Sequence, residues 1–120
     1  MISEERKKGL DTYWRLFGEE KKEFNELDTF TIDHLFAKIW SREDFLSLTD
    51  RSKITISILA ALGKDSELKR HLDGAKNLGI SRDEIVEIMI HVAHYAGWPA
   101  GHHALDMLHK WETGEGNYIA

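Results

Sequence analysis

Apolar residues recur along this chain every three or four positions, and the alternation a strand needs is hard to find, so the pattern predicts an all-α protein. Ser3 followed by Glu4 and Glu5 reads as an N-cap with acidic first-turn residues. The helix it opens carries Leu10, Tyr13, Trp14 and Phe17 inward and stops at Gly18. The charged residues 19–27 predict a loop or a frayed turn. A second helix carries Phe30, Leu35, Phe36, Ile39 and Trp40 and ends near Ser41. Thr49 is the expected cap of a third, "DRSKITISILAALG", which Gly63 ends. From Ile54 to Leu62 this third helix has no charge on any side. A helix apolar all round is expected to be buried all round, which makes it the central element.

A fourth helix spans about 65–78 and stops at Gly79, with Leu68, Leu72, Ala75 and Leu78 on its apolar stripe. Ser81 and Glu84 form a capping box for a fifth, apolar through Ile85, Ile88, Met89, Val92 and Ala96. Gly97-Trp98-Pro99 breaks it, and Pro99 suits the first turn of a sixth helix running to about Thr113. The tail "GEGNYIA" reads as a loose end. The rhythm describes one domain over residues 1–120, with no repeat and no linker, and 120 residues suit a single core.

Composition narrows the partners. A net charge of -5 argues against nucleic acid or an anionic membrane as the main partner. No apolar run is long enough to span a bilayer, and "MISEERKKGL" carries no apolar signal core, so a cytoplasmic location is expected. The chain has no cysteine, which removes disulfides, thiolate metal sites and any thiol nucleophile of its own.

Candidate chemistry crowds into the segment from Arg51 to His103. Six of the seven histidines follow residue 70. His71 lies on the inward stripe of its helix, three residues after Leu68 and four before Ala75. Glu67, one turn earlier, is placed to orient the imidazole and raise its pKa for acid or base work. A core histidine satisfied by a hydrogen bond is the alternative. On the fifth helix Glu84, Glu87, His91 and His94 fall within about 80° of arc at a step of about 100° per residue, with Tyr95 at the edge. A narrow ionisable stripe on an otherwise apolar helix fits a catalytic cleft or a Glu/His network at an oligomer contact. Arg51 can clamp a carboxylate bidentately, or stand solvated in the first turn of its helix. His102 and His103 follow the "YAGWPAG" turn. The histidine spacing matches no standard zinc site, so no metal is expected.

The segment "DRSKITISILAALGKDSELKRHLDGAKNLGISRDEIVEIMIHVAHYAGWPAGHHA" strongly resembles the carboxymuconolactone decarboxylase family. With "FAKIWSR" before it, the resemblance covers about residues 28–108. It implies an AhpD-like helical fold of about six helices, assembled as a homo-oligomer, trimer or hexamer. One branch of the family uses a Cys-x-x-Cys pair before a histidine as an alkyl hydroperoxidase. Here His71 fits that histidine, but Lys64 and Glu67 stand at the cysteine positions, so thiol peroxidase chemistry is closed. The other branch decarboxylates 4-carboxymuconolactone to 3-oxoadipate enol-lactone in aromatic catabolism, the β-ketoadipate pathway, and the length and "ELKRH", "GAKNLGIS" and "HVAHYAGWPA" fit it.

That reaction needs no cofactor, because the unsaturated lactone is its own electron sink. It does need a hold on a dianion, stabilisation of charge on the lactone oxygen, and a proton for ring carbon. Residue chemistry then makes His71, oriented by Glu67, the candidate proton donor and Arg51 the candidate anion clamp. His91, with Glu87 or Tyr95, binds the carbonyl or the acetate arm, and His102 or His103 completes the pocket, within the subunit or from a neighbour. Ser52 and Lys53 stand where many relatives carry Glu, which leaves room for another substrate. The alternative is a family member of unknown substrate, or an accessory oligomer without thiol chemistry.

Overall fold

The structure is a computed structural model that describes residues 2–114. Six helices follow one another, with no strand among the described residues. They are α1 (Glu4–Phe17), α2 (a turn at Asp28–Phe30 continuing as a π-helix over Thr31–Ile39), α3 (Leu48–Leu62), α4 (Asp65–Asn77), α5 (Arg82–Ala96) and α6 (Trp98–Thr113). The tail expected to be loose lies outside the described residues, apart from Gly114.

Most boundaries follow from local chemistry. Ser3 Oγ accepts from the Arg6 amide, and Ser81 Oγ accepts from the Glu84 amide. Each bond satisfies one amide at a helix start. Gly18 and Gly63 close α1 and α3 in the left-handed region, at φ 74 and 68. Three expectations shift. Ser47, not Thr49, caps α3, its Oγ accepting from the Asp50 amide. In α1 Leu16 is fully buried, while Trp14 is 54% exposed. The second helix is mostly π-helical, and it carries Phe30 and Leu35 outward and Ile32, Phe36, Ala37 and Trp40 inward.

The core has two parts. One lies between α1 and α2 and holds Tyr13, Leu16, Phe17, Ile32, Phe36 and Trp40, joined by Leu48 from the start of α3. The other lies among α3 to α6 and is built on Ile56, Leu68, Leu72, Met89, Val92 and Leu108. Leu78 packs against both. Close approach at two helix crossings depends on glycine. A Cβ on Gly9 would stand 2.1 Å from the Ile32 carbonyl oxygen, and one on Gly101 2.4 Å from the Ala93 Cβ.

The central third helix is not buried all round. Ser52, Ile56 and Ala60 face inward, but Ile54, Ile58 and Leu62, one turn apart, are 47%, 51% and 64% exposed. Absence of charge made every side eligible for burial. In one chain, however, α4, α5 and α6 cover only part of the circumference. The same holds for α5. Ile85, Met89 and Val92 are buried, while the Glu84, Glu87, His91, His94 and Tyr95 side stands exposed.

Candidate active site

The residues singled out by sequence fall into three separate places. The first is the seam between the two parts of the core. His71 on α4 turns its ring against Phe17, at 5.3 Å between centroids, and stacks on Trp40 at 6.0 Å and 22°. Its helix neighbours Leu68 and Leu72 belong to the other part of the core. The imidazole is partly buried, and its Nδ1 is sealed from solvent with no hydrogen-bond partner among the described residues. Two more sealed polar atoms lack a partner, Nε of Arg51 and Oγ of Ser52. A buried group in that state costs about 1–3 kcal/mol, so three in one small domain call for a reason. The Nη2 of Arg51 reaches the Arg42 carbonyl at 3.4 Å, two residues beyond Trp40 in the chain.

Glu67 does not take the part expected of it. It is exposed, and no hydrogen bond or ion pair joins it to His71. The direction of the pKa shift is also reversed. Burial, followed by the charge of Arg70, pushes His71 down to about 4, so the ring is neutral at pH 7. Arg70 is held beside it by bonds to Glu19, at 2.5 Å, and to the Tyr13 hydroxyl, with its guanidinium 4.3 Å from the centre of the Phe17 ring. Spacing placed Glu67 one turn away but could not show that α4 turns it to solvent.

The second place is a cleft of about 700 Å³ between α3 and α5. It gathers Glu87, His91 and Tyr95 from α5 with Lys53, Ser57 and Ile58 from α3, and does not include His71 or Arg51. His91 and Tyr95 lie ring to ring at 5.0 Å. Lys53 and Glu84 close one end with an ion pair of 2.6 Å, which raises the Lys53 pKa and lowers that of Glu84. The sequence marked Lys53 only as a departure from relatives and gave it no place in a site, although it sits one turn from Ser57 on the face that meets α5.

The third place is α6. His103 Nε2 bonds Asp65 at 2.9 Å, linking α6 to the first turn of α4. His102 lines a small depression of about 130 Å³ with Ile90, His94 and Trp98. Neither histidine reaches the His71 seam or the α3–α5 cleft within one chain. Among the described residues no three His, Cys, Asp or Glu side chains are grouped to hold a metal ion. No helix among them is long and apolar enough to cross a membrane.

Residues missed by sequence reasoning are the aromatic walls Phe17 and Trp40, the cation Arg70, and the depth of Ser52. The signal for Ser52 was present, because Leu48, Ser52 and Ile56 repeat every four residues on one inward stripe.

Residues 25–110 match the model of the carboxymuconolactone decarboxylase family. The chain is also 34% identical over 110 residues to the 4-carboxymuconolactone decarboxylase of Acinetobacter baylyi (strain ATCC 33305 / BD413 / ADP1), a match that covers 84% of this chain and 81% of that protein.

Proposed function

The chain belongs to the carboxymuconolactone decarboxylase family, and from that premise we propose that it is a cofactor-free carboxy-lyase acting on 4-carboxymuconolactone or a closely related lactone acid. The observation that carries the reading is the seam. A neutral imidazole with a sealed, partnerless nitrogen lies at that seam on α4, and Arg51, with a partnerless guanidinium nitrogen, stands on α3, the helix packed against it. Such a place suits an organic anion better than a hydrated ion.

In this reading Arg51 holds the carboxylate of the acetate arm, the one that is kept. The departing carboxylate lies toward the apolar walls, where its charge is poorly solvated. Breaking its bond to the ring sends the electron pair through the ring double bond to the lactone oxygen, and carbon dioxide leaves. A proton then adds to the ring carbon beside the carbonyl. Overall, a dianion and a proton become a monoanion and carbon dioxide.

His71 supplies that proton. Burial makes its imidazolium a strong acid, and the two negative charges of the substrate favour the charged ring while they are near. Carbon dioxide leaves neutral and its charge stays on the lactone oxygen until the imidazolium proton passes to ring carbon, which removes that charge and returns the ring to its neutral state. Glu67 has no part in this scheme. Glu87, His91 and Tyr95, with His102 and His103, serve in or beside a contact between subunits of a homo-oligomer. The exposed Ile54, Ile58 and Leu62 beside the cleft support that assembly.

The test follows the substrate's ultraviolet absorbance with purified protein and a metal chelator present. Turnover is expected, and its absence from well-folded protein rejects this substrate, leaving the reading of a family member with another one. His71→Ala should abolish most of the rate, and an unchanged rate removes His71 from the mechanism. Arg51→Gln should raise KM by about 10- to 100-fold, the worth of a charge-assisted bond.

A further inference from the structure

Hydroxyls inside helices usually satisfy themselves on the carbonyl one turn back. In this protein Thr12 bonds Lys8, Ser41 bonds Ala37, Thr55 bonds Arg51 and Ser57 bonds Lys53 in that way. Ser52 differs. It is 0% exposed, and its Oγ bonds neither the Leu48 carbonyl nor any other group among the described residues. Its place is equally particular. Leu48, one turn before it, belongs to the part of the core that walls His71, and Ile56, one turn after it, belongs to the other part. Ser52 thus lies between the two parts of the core on α3, as His71 does on α4, and the two helices pack together. Arg51 immediately precedes Ser52 on α3.

We propose that Ser52 is a catalytic residue whose hydroxyl donates a hydrogen bond to the lactone carbonyl oxygen as that oxygen gains charge. The proposal rests on the decarboxylase reading above and adds to it the group that stabilises the electron sink. The division of labour follows from charge. A carboxylate is charged throughout the reaction, and the guanidinium of Arg51 suits it. The carbonyl oxygen is neutral in the substrate and becomes an oxyanion only when the bond to the departing carboxylate breaks and its electron pair arrives. A neutral donor fixed in apolar surroundings and bound to nothing else gains most at that moment. The same bond weakens once the ring carbon takes its proton and the carbonyl is restored.

The experiment compares wild type, Ser52→Ala and Ser52→Cys in steady-state turnover of 4-carboxymuconolactone, alongside thermal unfolding. Because Oγ bonds nothing within the protein, Ser52→Ala should keep or raise the thermal midpoint. It should lower kcat and kcat/KM together by about 100-fold, with KM within about twofold of wild type. Ser52→Cys, a weaker donor, should fall between the two. An unchanged kcat in Ser52→Ala, a loss that appears as raised KM alone, or a clear drop in midpoint each overturns the proposal. Wild-type protein that does not turn the lactone over overturns the decarboxylase reading itself, which is a distinct outcome.

Discussion

A single buried imidazole ties stability to pH in this protein. His71 holds its proton less tightly in the folded chain, at about 4, than at the ordinary histidine value of 6.5. Between those values the unfolded chain binds more protons, so stability rises with pH through the window and is lost as pH falls from about 6.5 toward 4. The full effect of such a shift is about 3 kcal/mol. Denaturant unfolding at pH 6.5 and pH 5 should show wild type losing about 2 kcal/mol, and His71→Gln losing clearly less. Equal losses would mean that the ring is not held neutral. The same residue marks how far sequence reading reached. Its inward position followed from Leu68 and Ala75 at helical spacing. Its proton affinity did not, because Glu67 was assigned to it while the ring is buried against Phe17 on α1 and Trp40 just after α2, with the charge of Arg70 beside it. No periodicity reports what another element brings.

Among the elements, α1 and α2 are held at a separation only glycine allows. Gly9→Ala sets a methyl group against backbone rather than against a movable side chain. It should therefore destabilise by about 1–3 kcal/mol, despite alanine's better helix propensity. A variant as stable as wild type in thermal or denaturant unfolding would show that the helices can part at no cost. Helix starts and stops were legible because their signals are local: Ser3 and Ser81 cap, and Gly18 and Gly63 terminate. The π-helical winding of Thr31–Ile39 was not legible. The segment carries no residue signal for it, and what accompanies it is the seating of Ile32, Phe36 and Trp40 in the core shared with α1. A periodicity of 3.6 therefore sent Phe30 and Leu35 inward, and the structure sends them out.

For the whole molecule, the apolar side of α3 is the feature that one chain leaves unresolved. Three aliphatic side chains a turn apart, beside a cleft with Tyr95 at 83% exposure, form a larger bare surface than scattered hydrophobics do. Light scattering at micromolar concentration should give a multiple of the 13.9 kDa chain mass. Ile58→Lys should shift that mass downward while helical circular dichroism is retained. A wild-type monomer would remove the oligomer from the proposal and leave the cleft open to solvent. Sequence showed that α3 lacks charge but not which of its sides the chain's own helices cover, since coverage depends on all six.

The stacking of Trp40 on His71 gives the molecule an optical signal of its own. A protonated imidazole quenches indole emission far more than a neutral one, so Trp40 should dim as His71 takes up its proton. The four tryptophans blur that signal, and Trp98 lies 4.9 Å from His94. In a Trp98→Phe background, acidification through about pH 4 should quench emission, and His71→Gln should abolish that step. Mixing with the lactone at pH 7 should produce a transient dip that recovers as the ring gives its proton to the product. The charging of one ring during turnover would then be visible in a stopped-flow fluorimeter, with no label attached.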